Sequence, residues 1–182
     1  MYSIINNIAS RQDFFKGKGT LEIGYPWLSF GAIIALESIV NKNLKVLEFG
    51  RGGSTVFWAK NCQSVKSFET NRQWYEKVCE KTKEFKNVEI ILADQAETLK
   101  KLDMEPDNYY DIILVDSYPK DIERILIANT ATKKVKANGW LIIDNYQNFG
   151  MQKFTYPKNC EIYTFDEFKY SGKGTRFCKI LP

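Results

Sequence analysis

VLEFGRGGST, residues Val46–Thr55, is the stretch that decides the fold of this chain. A short apolar run ends in the acid Glu48, breaks into a glycine-rich turn and then enters an amphipathic segment. This order predicts a strand, a tight ligand-binding loop and a helix start, because glycine lets a backbone approach a ligand and a helix N-terminus offers free N–H groups. Glu48 lies two residues before Gly50, which favours a cationic ligand over a pyrophosphate.

The alternation of strand and helix patterns continues along the chain. Apolar runs predict strands over residues 45–49, 65–69, 88–92, 111–116 and 140–144, with helical spacing between most of them. Such alternation indicates an α/β fold with a parallel sheet and right-handed crossovers. Only turn residues separate two further runs, residues 161–165 and 176–181, which therefore predict an antiparallel hairpin.

Composition narrows the class of protein. A chain of 182 residues suits one domain, so we predict a single domain over residues 1–182, with residues 1–24 as an N-terminal extension packed on the core. The net charge of +4 is too small to indicate nucleic-acid binding by itself. Neither a membrane-spanning apolar segment nor a signal-peptide pattern is present, so a cytoplasmic protein without a membrane partner is expected.

Carboxylates are expected to carry much of the chemistry, because the chain has no histidine. That absence excludes Ser-His and Cys-His nucleophiles and the usual zinc sites. Acids lie instead at five predicted strand ends, namely Glu48, Glu69, Asp94, Asp116 and Asp144. Since a buried charge is costly unless it is paired, these acids are expected to surround a cavity that holds a cation or a polyhydroxylated ligand.

The glycine loop and the strand ends together resemble a known family. The pattern Glu-x-Gly-x-Gly-Gly-Ser-Thr at residues 48–55 is similar to motif I of the class I S-adenosylmethionine-dependent methyltransferases. Four further segments resemble later strand ends of that fold, in order: residues 67–70, 92–95, 110–116 and 138–145. The resemblance implies a doubly wound, mostly parallel, seven-stranded Rossmann-like methyltransferase sheet with an antiparallel C-terminal hairpin.

The resemblance also implies a cofactor, S-adenosylmethionine, and a set of residues that bind it. Glu48, Gly50 and Gly52 would face the methionine moiety, and the loop would be lined by Gly53, Ser54 and Thr55. Glu69 would bind the ribose hydroxyls, as acids do about 20 residues past a glycine loop in nucleotide-binding folds. Asp94 and Gln95 would approach the adenine, although Asp94 is also a good helix N-cap.

Arg51 departs from the family pattern, in which small residues are common between these glycines. Its long side chain is compatible with three directions: toward solvent, toward Glu48 or toward a carboxylate of the ligand.

Two more strand ends resemble catechol O-methyltransferase-like enzymes. In that resemblance Asp116, Asp144 and Asn145 would bind Mg²⁺, a cation that prefers hard oxygen ligands. Lys120 follows Asp116 by four residues and, with Asp116, is a predicted catalytic base. The alternative is a metal-free pocket in which Asp116 contacts cofactor or acceptor while Asp144 and Asn145 shape the cavity.

The predicted function is methyl transfer from S-adenosylmethionine to an oxygen of a small molecule or sugar. The chain lacks an Asn/Asp-Pro-Pro-Tyr motif, which disfavours methylation of DNA bases. The expected partner is a small-molecule or glycan acceptor and not nucleic acid, and a homodimer is compatible with the sequence. Two alternatives stay open: a non-catalytic cofactor-binding or interaction protein, and a nicotinamide-dependent enzyme, which Thr55 and Glu48 disfavour.

Overall fold

The computed structural model describes residues 16–117, 121–148, 150–166 and 174–182. The described strands are β1 Lys45–Phe49, β2 Ser64–Glu69, β3 Val88–Leu92, β4 Tyr110–Val115, β5 Val135–Asp144, β6 Cys160–Phe165 and β7 Thr175–Ile180. The described α-helices are α1 Thr20–Ile23, α2 Phe30–Ile39, α3 Gly53–Asn61, α4 Arg72–Thr82, α5 Gln95–Met104 and α6 Asp121–Thr132. A short 3₁₀ turn covers Met151–Lys153.

All seven strands form one sheet in the order β3-β2-β1-β4-β5-β7-β6. The first five strands are parallel to their neighbours, whereas β7 is antiparallel to both β5 and β6. The strand order reverses between β1 and β4, where doubly wound folds bind their ligands. The predicted fold class is therefore confirmed, including the antiparallel hairpin.

Strand β5 begins five residues earlier than the sequence pattern indicated. Val135 already pairs with Tyr110, and the register shifts before Trp140 pairs with Ile112. Asn138 has a φ of 65° within this irregular stretch. The Asn-Gly pair that resembles a strand break is therefore absorbed as a bulge inside the strand.

Helices cover both faces of the sheet. On one face α2 and α3 bury Leu36 and Trp58 against β1, β2 and β4. On the other face α5 and α6 bury Leu102 and Ala128 against β4 and β5. The central strands are buried on both faces, which explains their nearly continuous apolar sequences.

A buried carboxylate ties the first strand to its neighbours. The side chain of Glu48 is fully buried, and its Oε1 accepts hydrogen bonds from the hydroxyls of Thr55 and Ser67, the latter at 2.7 Å. Its Oε2 accepts a hydrogen bond from Trp58 Nε1 at 3.0 Å. One side chain on β1 thus joins β2 to two successive turns of α3.

Among the described residues, no helix is both long enough and apolar enough to cross a membrane.

We expect the stability contributed by Glu48 to depend on pH. Burial raises the pKa of Glu48 above its ordinary value, and hydrogen bonds from Thr55, Ser67, Ser54 and Trp58 oppose that shift. The folded protein therefore holds the proton more tightly than the unfolded chain does. This contribution is fully present below the ordinary glutamate pKa and is lost as pH rises through the raised folded pKa.

The measurement compares wild type with Glu48→Gln, which stays neutral at every pH. Urea unfolding from about pH 4 to about pH 8 should show wild type losing free energy of unfolding relative to the variant as pH rises. Glu76→Gln, on an exposed position of α4, is the matched control and should show no such trend. A pH-independent difference between wild type and Glu48→Gln would refute the expectation.

Candidate active site

A cavity of about 680 Å³ opens at the carboxyl edge of the parallel strands. Phe49 and Phe68, at the ends of β1 and β2, line it with rings stacked at a centroid distance of 5.4 Å. Its polar lining comes from the loop after β1, the tips of β2 and β4, and helices α4, α5 and α6. Ligands bind at this edge in open α/β sheets, so the cavity is the candidate active site.

Backbone packing explains two of the loop glycines. Gly50 has a φ of +80°, and a Cβ atom there would lie 2.5 Å from the carbonyl oxygen of Asp116. A Cβ on Gly53 would collide with the backbone carbonyl oxygens of Thr20 and Tyr25. These two glycines therefore let the loop lie directly against β4 on one side and α1 on the other, and of the two only Gly50 lines the cavity.

Glu69 is held at the tip of β2 by its own backbone surroundings. Its Oε1 accepts hydrogen bonds from the amides of Thr70 and Asn71 at 2.9 and 2.7 Å. Asn71 in turn caps α4, because its Oδ1 accepts from Trp74 N at 2.9 Å. The other carboxylate oxygen, Oε2, lies 3.7 Å from Arg51 Nε. Glu69 thus lines the cavity in a fixed orientation.

Helix α5 presents one polar face to the cavity. Gln95 and Thr98, three residues apart, both line it. The Thr98 hydroxyl is buried and has no hydrogen-bond partner among the described residues. Asp94 is exposed and caps α5 in a reciprocal arrangement with Glu97, so the structure gives it the helix-capping role and does not place it in the cavity lining.

Several predicted cofactor residues lie behind the loop. Glu48 is enclosed by Thr55, Trp58 and Ser67, and Ser54 is buried as well. None of these side chains lines the cavity as the structure describes it. Glu48 therefore supports the loop from below, and its predicted contact with the methionine moiety stays a prediction.

Arg124 was not predicted, and it occupies the space between the tips of β4 and β5. Its guanidinium donates hydrogen bonds to the carbonyls of Ser117, Val115 and Asp144 at 2.9, 2.9 and 2.7 Å. It also lies 3.7 Å from Asp116 Oδ1. The only sequence signal for it was an arginine inside an otherwise apolar stretch of α6, Ile125–Ile127 following directly.

The predicted magnesium ligands do not fit a metal site in this structure. Asp144 is buried, its Oδ1 accepts from Thr175 Oγ1 at 2.6 Å, and its Oδ2 accepts from Asn145 Nδ2. Both oxygens are thus used within the fold, and the Arg124 cation lies beside Asp116. No cluster of three or more acidic, cysteine or histidine ligands occurs among the described residues either. The prediction of Mg²⁺ is therefore not supported, because hydrogen-bond donors already neutralise these groups.

Of the two predicted bases, the structure describes one. Asp116 lines the cavity at the tip of β4, with its side chain about one-third exposed. Lys120 lies outside the described residues.

Solved structures with the same fold include proteins of several activities. An rRNA methylase from Streptococcus thermophilus matches with a TM-score of 0.65 and 14% identity, covering 81% of this chain and 92% of that one. A Streptococcus mutans protein solved in complex with SAH matches at 0.62 and 19%, covering 80% and 93%. The N-methyltransferase NodS from Bradyrhizobium japonicum matches at 0.54 and 12%, covering 82% and 91%. At these identities the likeness shows the fold alone.

No match was found among curated protein sequences. A family model described as a methyltransferase domain matches residues 47–146, which is more than half of the chain and includes the glycine loop and the tips of β1 to β5. This match agrees with the motif order in the sequence and with the position of the cavity. The chain therefore belongs to the methyltransferase-domain family.

Proposed function

We propose that this methyltransferase transfers a methyl group from S-adenosylmethionine to an oxygen of a small molecule or sugar. The observation that carries the proposal is the cavity lining, which combines the acid Glu69, the polar pair Gln95 and Thr98, and the acid Asp116 around two stacked phenylalanines. S-adenosylmethionine, when bound, supplies a methyl group on a positively charged sulfur.

The residues at the cofactor half of the cavity suit an adenosine. Glu69 Oε2 is available to accept hydrogen bonds from two ribose hydroxyls, since Oε1 already binds the amides of residues 70 and 71. The amide of Gln95 and the hydroxyl of Thr98 provide donors and acceptors for the edge of a base. Phe49 and Phe68 add apolar surface between these polar groups.

Asp116 is the proposed base for the acceptor. Its carboxylate lies in the cavity, where it takes the proton from a hydroxyl whose oxygen forms the new bond to carbon. Arg124 holds the tips of β4 and β5 together beside it and fixes the backbone on which Asp116 sits. Lys120 is retained as a second proposed base, because it follows Asp116 in the same loop.

The acceptor class rests on weaker support than the cofactor. The absence of an Asn/Asp-Pro-Pro-Tyr motif disfavours DNA bases, and the small net charge gives no positive support for RNA. Since a structural neighbour is an rRNA methylase, RNA belongs in any acceptor screen. A protein that binds cofactor without turnover is the remaining alternative, and the same screen separates it.

The first prediction concerns ligand choice. S-adenosylmethionine and S-adenosylhomocysteine should raise the melting temperature, whereas NAD should not, because a carboxylate behind the glycine loop and a threonine at position 55 do not suit a pyrophosphate. Differential scanning fluorimetry with each ligand measures this directly. Stabilisation by NAD alone would contradict the proposed function.

The second prediction concerns Glu69. Glu69→Gln keeps an oxygen for the capping amides but loses the charge toward the ribose, so binding of S-adenosylhomocysteine should weaken by about 1.5–3 kcal/mol. Isothermal titration calorimetry gives the dissociation constants. Glu89→Gln, on the neighbouring strand and outside the cavity, is the control and should bind like wild type. An unchanged constant for Glu69→Gln would show that Glu69 does not contact the ribose.

The third prediction concerns the acceptor and its base. Wild type incubated with labelled S-adenosylmethionine should methylate hydroxylated small molecules or sugars, and not ribosomal RNA. With that acceptor Asp116→Asn should lower kcat about 100-fold or more and leave cofactor affinity nearly unchanged. Asp103→Asn, exposed on α5, should retain full turnover. Labelling of RNA alone would refute the small-molecule acceptor, and binding without transfer to any acceptor would favour the non-catalytic alternative.

A further inference from the structure

Arg51 is a buried cation inside the glycine loop. Its side chain is 0% exposed, yet the residue lines the cavity. Its backbone carbonyl accepts a hydrogen bond from Trp74 Nε1, which fixes the peptide that carries it. The side chain is therefore held within the protein and directed along the cavity wall, not out into solvent.

The guanidinium of Arg51 has unused donors. Its Nε and both terminal nitrogens are buried and have no hydrogen-bond partner among the described residues. A buried donor without an acceptor costs about 1–3 kcal/mol, and more for a charged group. Such a group in a cavity wall indicates a ligand that supplies the missing acceptors.

Two neighbours orient the group without satisfying it. Glu69 Oε2 lies 3.7 Å from Nε, which is close enough for charge attraction but too far for a hydrogen bond. The ring of Tyr75 lies 4.6 Å from the guanidinium carbon. Charge and ring contact thus hold the planar group in place while its donors stay available.

The position of Arg51 favours the cofactor over the acceptor as the source of the anion. Arg51 lies beside Glu69 and the glycine loop, on the proposed adenosine side of the cavity, whereas Asp116 marks the acceptor side. A guanidinium presents parallel N–H donors that match the two oxygens of a carboxylate. The amino-acid end of S-adenosylmethionine carries one carboxylate.

We propose that Arg51 binds the carboxylate of the amino-acid end of S-adenosylmethionine and so selects the intact cofactor over forms that lack this group. The proposal rests on the proposed function, because it assumes that the cavity holds this cofactor. It assigns to a departure from the family motif a role in cofactor recognition.

The experiment compares S-adenosylmethionine with decarboxylated S-adenosylmethionine, which differs only in the missing carboxylate. Calorimetry on wild type should show about ten- to a hundredfold tighter binding of the intact compound. Arg51→Met should bind the two compounds with nearly equal affinity. Arg51→Lys, which keeps the charge but not the planar pair of donors, should retain part of the preference.

Arg72→Met is the matched control, because it removes an exposed arginine from α4 outside the cavity and should keep the full preference. Melting temperatures of all variants without ligand confirm folding. If wild type and Arg51→Met discriminate equally, the assignment of Arg51 is overturned while the proposed cofactor stands. If wild type binds neither compound, the proposed cofactor is wrong and the assignment falls with it.

Discussion

The structure depends on one buried carboxylate. Glu48 lies at the centre of the sheet with no exposed surface, and each of its oxygens accepts a hydrogen bond from a neighbouring element. Burying a charge in this way is costly unless donors surround it, so Thr55, Trp58 and Ser67 must all be in place. Their convergence sets the position of α3 relative to β1 and β2, and with it the loop that connects β1 to α3.

That fixed loop explains how the cavity is divided. Gly50 lies against the backbone of Asp116, so the loop also sets the distance between the cofactor side and the acceptor side. Trp74 holds the loop from the other direction through the Arg51 carbonyl. The cavity is thus built from elements that are positioned by hydrogen bonds behind it, and the cations Arg51 and Arg124 line it on either side.

The sequence was sufficient for the fold but only partly for the site. The strands could be predicted because each is an apolar run of ordinary length, and Gly50, Glu69, Gln95 and Asp116 do line the cavity. Glu48 and Asp144 do not, because side chains alternate across a strand and an acid at its end can point behind the sheet. Arg124 was missed since its acceptors, three backbone carbonyls far away in the chain, leave no local pattern.

The place of β7 in the sheet has a consequence for biosynthesis. Strand β7 lies between β5 and β6, although it follows both in the chain. A ribosome therefore releases β5 with its inner residues Leu141–Ile143 fully apolar and one backbone edge unpaired, and β6 emerges before it has a neighbour. Unpaired apolar edges are prone to associate with other chains. The nascent protein must hold this edge open until β6 and β7 dock together, which makes the interval before β7 emerges the one in which chaperones matter most.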